Sequence, residues 1–353
     1  MSLPFSFVKQ NNAEYEVVDK QARADIAGLT VNSTRKYILI GDSFSIPDAS
    51  YAKLMQDTLG ADKVFLYDWS IVQPPGFASQ LNFLTILQAI EADITNTNEI
   101  TDIVCIGGTN DVPHISDVPA GIDAFCAYAK AHFVNATVSI GMLSMGRAYK
   151  TNAIAKAYRD GAIRNSCKYI RGLPNLMCDP QYLSGDGVHP TTQGYTFYAP
   201  YIVHAIIQGY AEYSFSFTLS LKPASGFSGL QQSATGDLIV YVTDQGVTMR
   251  LSFSTITAYI NHGTSEPSSG SVMFTLSNFP IVIFEPILYR LFAKVPRTIL
   301  GSYYGAYGLA MKSVTELAIW GQSNPNVVGN YPSGANQWFE LDSSVNAFID
   351  CAY

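Results

Sequence analysis

The chain has no excess of positive charge. Its 21 Lys and Arg face 28 Asp and Glu, giving a formal net charge of −7 at pH 7. Non-specific grip on a nucleic-acid backbone needs a basic surface, so nucleic acid is not an expected partner. Charge of either sign is scarce, at 14% of 353 residues against 48% hydrophobic, which leaves ample material for a large core. No run of about 18 apolar residues occurs, so no membrane span is expected. The opening "MSLPFSFVKQNNAEYEVVD" lacks a basic segment followed by an apolar one. It therefore does not read as a secretory signal, and synthesis in the cytoplasm is the expectation.

Cysteine is sparse too. Cys105, Cys126, Cys167, Cys178 and Cys351 are odd in number and never closely spaced. The absence of Cys-x-x-Cys argues against a zinc knuckle or a short redox motif. Most of the five fall in apolar stretches, where reduced, buried thiols are expected.

What is present divides the chain into parts. From residue 35 to 212, short apolar runs alternate with longer helical ones. Strands are expected at 36–41, 63–68, 102–108, 137–143 and 175–179, each apolar throughout and bounded by Gly, Asp or Ser, as suits parallel strands buried on both faces. Helices are expected at 48–59, 78–92, 121–133, 151–170 and 191–209. The alternation predicts a three-layer α/β sandwich with right-handed crossovers. From 213 to 353 the pattern changes to period-two alternation, as in "SFSFTLSL" and "VTMRLSFS", with Gly, Ser, Pro and Asn between the runs. Strand-like runs at 214–221, 238–243, 247–254, 272–276, 281–284 and 314–320 predict an all-β domain, a sandwich or a jelly-roll-like barrel. Residues 1–34 form an N-terminal arm, packed on the domain or ordered in a homo-oligomer.

Three stretches carry chemistry. "YILIGDSFS" runs a buried-looking strand straight into Gly41-Asp42-Ser43, "GGTND" places Asn110 just past the third strand, and "SGDGVHP" precedes the last helix. In a parallel sheet the carboxyl ends of the strands form one rim, so Ser43 and Asn110 belong together. A serine hydroxyl is a poor nucleophile unless a base takes its proton. Asp186 and His189, three residues apart on a turn, can supply that base, the carboxylate holding the imidazole while its other nitrogen faces Ser43. Pro190 keeps His189 extended, and Thr191 or Thr192 suits the cap of the following helix. Donors for a developing oxyanion are the N–H of Ser43, the side-chain amide of Asn110 and the N–H of Gly76 in "QPPGFASQLNFL". Glycine at 76 lets the backbone approach a ligand closely.

These blocks, Gly41-Asp42-Ser43, Gly76, Gly108-Thr109-Asn110-Asp111 and Asp186-Gly187-Val188-His189-Pro190, resemble the SGNH, or GDSL-type, hydrolase superfamily in order and spacing. The resemblance covers about residues 35–210. It implies a flavodoxin-like αβα sandwich with five parallel strands, ester hydrolysis through Ser43, His189 and Asp186, and no metal or other cofactor. Phe44 stands where the family's name has leucine, a position that varies within it.

Trp69, His114, Arg147 and Tyr149 follow strands on the same rim and are candidates to line a substrate cleft. Asp42 reads as fixing the turn, and His132, His204 and His262 as structural. The loops of Pro, Ser, Gly and Tyr suit a short acyl group, acetyl first, on a polar carrier such as a glycan. Tyr303, Tyr304, Tyr307, Trp320 and Trp338 in the β part read either as a sugar-stacking face or as core. The leader "EYEVVDKQARADIAG" resembles the starts of phage tail and prophage structural proteins. That implies a tail-associated or prophage-encoded esterase, released at lysis, acting on a host-surface polysaccharide. The competing readings are a binding or assembly protein whose β domain carries the main function, and a binding protein on an inactive esterase scaffold.

Overall fold

The computed structural model describes residues 34–66 and 74–223. Beyond these it describes residues 234–243, 246–253, 256–260, 272–277, 279–281, 283, 293–299, 302–313, 316–320, 337–341 and 346–351. The expected arm, apart from residue 34, and Trp69 lie outside them. Two compact units divide the chain, the first running to Tyr213 and also taking in Ile281 and Ile283, the second beginning at Ser214.

Apolar runs with no polar face can be buried only if both faces of the sheet are covered. The first unit does this with five parallel strands: β1 (Tyr37–Gly41), β2 (Val64–Leu66), β3 (Asp102–Gly108), β4 (Thr137–Leu143) and β5 (Lys168–Tyr169). Every residue of β1 and β3 is buried. The strand order is β2-β1-β3-β4-β5, the flavodoxin-like winding. The helices are α1 (Tyr51–Leu59), α2 (Phe83–Ala92), α3 (Val118–His132), α4 (Asn152–Arg164), the single turn α5 (Leu173–Leu176) and α6 (Thr192–Gln208). α1 packs against α6, while α2 packs on α3 and α3 on α4. With right-handed crossovers, reversing the winding direction after β2 puts these two groups on opposite faces.

Four of the helices start on side-chain caps, each oxygen satisfying an N–H of the first turn that has no helical partner. Ser50 accepts from the Lys53 N–H, Asn82 from Leu84, Thr151 from Ile154 and Thr191 from Gly194. The core lies between β1, β3 and β4 and the α2–α4 layer, around Ile38, Ile40, Ile103, Phe77, Phe83, Phe125 and Tyr158, and Ile283 joins it. Phe77 meets Phe83, Phe125 and Tyr158 edge-on, with ring centroids 5.0, 5.4 and 5.2 Å away.

Three sequence expectations need correction. The run at 175–179 is not a strand: Gly172 takes a left-handed conformation and Pro174 sits in the first turn of α5, so the run opens in a helical turn. The fifth strand is Lys168–Tyr169 instead. The helix expected over 151–170 stops at Arg164, where Ser166 has φ 51°. Lastly, Ile281 and Ile283, expected in a strand, lie in none; their N–H groups donate to Cys178 O at 2.6 Å and Asn175 Oδ1 at 2.8 Å.

The second unit is an antiparallel β unit. Ten strands among the described residues, from Tyr213–Pro223 to Asn346–Cys351, join in one hydrogen-bonded sheet. Sequential neighbours pair as hairpins, Ala234–Thr243 with Gly246–Phe253 and Ser302–Ser313 with Glu316–Trp320. The period-two alternation read from the sequence suits such a sheet.

Candidate active site

In a doubly wound sheet a site forms where the winding reverses, outside the carboxyl ends of the two strands at that point. Here those strands are β1 and β3, which pair from Tyr37↔Asp102 to Gly41↔Ile106. Ser43 lies two residues beyond β1 and Asn110 two beyond β3. Ser43–Ser45 make one tight turn, and Asp42 holds it by accepting the Phe44 N–H at 3.1 Å. The Ser45 hydroxyl closes the turn by donating to Asp42 O at 2.7 Å.

The Asp186–His189 segment comes from the far end of the unit, just before α6. His189 Nε2 lies 2.8 Å from Ser43 Oγ, across 146 residues of sequence. Its Nδ1 lies 2.6 Å from Asp186 Oδ2. The other Asp186 oxygen accepts from the Ser184 hydroxyl at 2.5 Å and from the N–H groups of Val188 and His189 at 2.8 and 3.0 Å. These bonds, the Ser184 hydroxyl and the His189 ring first, hold the Asp186 carboxyl well below the usual carboxylate range. Thr191 caps α6 and its N–H donates to Tyr182 O at 2.6 Å, while Ser184 N–H donates to His189 O at 2.8 Å, so both ends of the turn are pinned. Phe44 sits beside the His189 ring, centroid to centroid 5.7 Å. The structure thus brings Ser43, His189 and Asp186 into one hydrogen-bonded chain in which a hydroxyl proton can pass to an imidazole oriented by a carboxylate.

Gly76 and Asn110 meet through their surroundings. Asn110 Nδ2 donates to Pro75 O at 2.8 Å and has a second hydrogen for another acceptor. Asp111, fully buried, takes the N–H groups of Phe77 and Ala78 at 2.9 and 2.8 Å and the Tyr158 hydroxyl at 2.6 Å. A Cβ on Gly76 would lie 2.3 Å from Asp111 Oδ1 and 2.6 Å from Ser79 Oγ. Glycine is therefore required at 76 by this clamp. Asp111 belongs to the "GGTND" motif, yet its role as a clamp is not legible in the sequence, because a carboxylate that binds a distant loop's N–H groups leaves no local pattern.

Of the cleft-lining candidates, Trp69 lies outside the described residues. His114 is exposed on the Val112–His114 turn after β3. Arg147 is exposed and Tyr149 half-buried in the loop after β4. That loop reaches the Asp186–His189 turn. Gly146, at φ 76°, comes so close to it that a Cβ would lie 2.2 Å from Gly187 O. Lys150, which the sequence did not single out, anchors the loop from inside, its ammonium donating to Pro174 O at 2.9 Å. Burial pushes its pKa down to about 7.

Asp42 is also buried, and its Oδ2 has no hydrogen-bond partner. Burial first, and then the neighbouring Asp111 charge, push its carboxyl up to about 8. Among the described residues no group of three or more His, Cys, Asp or Glu is placed to hold a metal ion. Nor is any helix among them long and apolar enough to cross a membrane.

No protein-family profile matches the sequence, and no curated protein matches it. Several solved structures are similar to part of the chain, two of them described as a GDSL-like lipase and a lipolytic protein of the G-D-S-L family. TesA aligns over 50% of this chain and 97% of its own, at 17% identity and a TM-score of 0.38. A protein from Parabacteroides merdae described as a GDSL-like lipase aligns over 51% and 97%, at 12% identity and a TM-score of 0.36. One from Desulfitobacterium hafniense, described as a lipolytic protein of the G-D-S-L family, aligns over 48% and 98%, at 15% identity and a TM-score of 0.33. The functional reading rests on the geometry of the site rather than on these likenesses.

Proposed function

We propose that the protein is a serine ester hydrolase that removes a short acyl group, acetyl first, from a polar carbohydrate carrier. The observation that carries this reading is the unbroken chain Ser43 Oγ, His189 Nε2, His189 Nδ1, Asp186 Oδ2, with links of 2.8 and 2.6 Å. Ser43 Oγ attacks the acyl carbonyl carbon as His189 takes its proton, and Asp186 stabilises the imidazolium that forms. The N–H groups of Ser43 and Gly76 and the Asn110 amide receive the oxyanion. His189 then gives its proton to the departing alkoxide, leaving an acyl-enzyme. Water, deprotonated in turn by His189, attacks that ester and releases the carboxylic acid and Ser43.

The carbohydrate part of the proposal is supported by the polar rim, where His114, Arg147 and Tyr149 stand on loops after β3 and β4. We further read the antiparallel unit as a β-sandwich accessory module, for glycan binding or for assembly into a homo-oligomer or a phage tail. The enzyme would then act on a host-surface polysaccharide after release.

The test is acetate release by the full-length protein from p-nitrophenyl acetate and from acetylated oligosaccharides, each beside Ser43→Ala. Turnover of both is expected, with a loss on the order of 10³-fold or more in the variant. Turnover of the small ester alone keeps the mechanism and removes the glycan. Equal rates in both proteins overturn the catalytic reading and leave a binding protein.

A further inference from the structure

Away from this site, two thiols lie within reach of each other. Cys126, on α3, is fully buried. Cys167, 41 residues later, is half-buried in the link between α4 and β5. Their sulfurs are 3.4 Å apart. We propose that Cys126 and Cys167 are a thiol–disulfide pair, closed by a low-molecular-weight disulfide, that ties α3 to the α4–β5 joint. This inference does not depend on the esterase reading.

The geometry supports the bond and sets the order of events. A disulfide needs sulfurs about 2.05 Å apart, so closure asks for an approach of roughly 1.4 Å, within reach of side-chain rotation and a small backbone adjustment. The backbone at Cys167 is held in place. The Ser166 N–H donates to Ile163 O at 2.9 Å and the Cys167 N–H to Ala162 O at 2.8 Å, the paired bonds of a Schellman motif. Ser166 takes the left-handed position usual for glycine, with φ 51°. The more exposed partner is Cys167, so a small oxidant meets it first.

A cation sits beside that sulfur. The Lys130 ammonium hydrogen-bonds Asn165 O, and Cys167 Sγ lies 3.5 Å from the same carbonyl oxygen. The contact with Cys126 and the Lys130 charge lower the Cys167 thiol from its ordinary value. The contact with Cys167 and burial raise Cys126. Cys167, the more exposed sulfur and the one beside Lys130, is thus the attacking thiolate and Cys126 the buried resolving thiol. In the first step the Cys167 thiolate attacks one sulfur of the small disulfide, forming a mixed disulfide and expelling a small thiolate. Cys126 then loses its proton and attacks Cys167 Sγ, forming the protein disulfide and expelling the second small thiolate. Two protein thiols are oxidised and one small disulfide is reduced to two thiols.

The experiment incubates the full-length protein with oxidised glutathione, blocks the remaining thiols by alkylation, and maps peptides without reduction. The expected result is a single linked pair, Cys126 with Cys167, that dithiothreitol reverses, together with an oxidised form that melts at higher temperature than the reduced one. Cys126→Ser should stop at a glutathione adduct on Cys167, and Cys167→Ser should acquire neither adduct nor cross-link at Cys126. Any of three results in the wild-type map would overturn the proposal: both thiols still alkylatable, a lasting glutathione adduct on Cys167, or a cross-link to another cysteine. The wild-type map decides without the variants, so a variant that fails to fold leaves the test intact.

Discussion

Asp186 accepts four hydrogen bonds, from the Ser184 hydroxyl, the Val188 and His189 N–H groups and the His189 ring. Its side chain is nevertheless 50% exposed. Its place is fixed by these bonds rather than by burial, and it stays a carboxylate well into acid. Asp42 is the opposite case, a buried carboxyl whose pKa is raised to about 8 from 3.8. A raised carboxyl binds its proton more tightly in the folded chain. Its contribution to stability is therefore full below the ordinary carboxylate range, falls as pH rises through 4 to 8, and levels off above. Asp42→Asn keeps an oxygen for the Phe44 N–H and removes the charge. We predict that urea denaturation will show the variant gaining on the wild type as pH rises from 5 to 8; a constant difference would contradict this. Ser43 and Asn110 are legible as candidates because small polar residues interrupt apolar runs at strand ends, and Asp186 and His189 because they stand three residues apart on a turn just before the last helix. Asp111 as a clamp and Lys150 as an anchor are not, since their partners lie at least 24 residues away.

Strands buried on both faces announce themselves by continuous apolar composition, and β3 and β4 fall at 102–108 and 137–143 as their sequences predict. The same composition misled at 175–179, because a short buried apolar run has no period that separates strand from helix. β5 has only two residues and so no pattern to read. The end of α4 was also hidden, for its left-handed residue is Ser166 where glycine would have marked a stop. That choice has a cost. The left-handed conformation is unfavourable by about 1–2 kcal/mol for an L-residue, and glycine gives back about 0.5–1 kcal/mol through its greater unfolded-state entropy. Ser166→Gly should therefore raise unfolding free energy by about 0.5–1 kcal/mol in a urea titration, and a loss of stability would contradict the cap geometry.

The first compact unit is not continuous in sequence. Ile281 and Ile283 return to it, and Ile283 joins the core that packs behind β1 and β3. No local pattern reveals such a return, which depends on acceptors at Cys178 and Asn175. Ile283→Ala should cost the first unit about 2–4 kcal/mol by leaving a cavity, read as a lower midpoint of its unfolding transition. A fragment ending at 213 should be destabilised in the same direction. An unchanged midpoint in Ile283→Ala would show that this return is not part of the core.

The central claim is that Ser43 is an activated nucleophile, and covalent labelling tests it most directly. The full-length protein is treated with a fluorophosphonate, and its intact mass and modified peptide are measured beside Ser43→Ala and His189→Ala. The predicted result is one adduct per chain, on Ser43, absent in Ser43→Ala and much slower to form in His189→Ala. An unlabelled folded wild type, or an adduct on another residue, would contradict it.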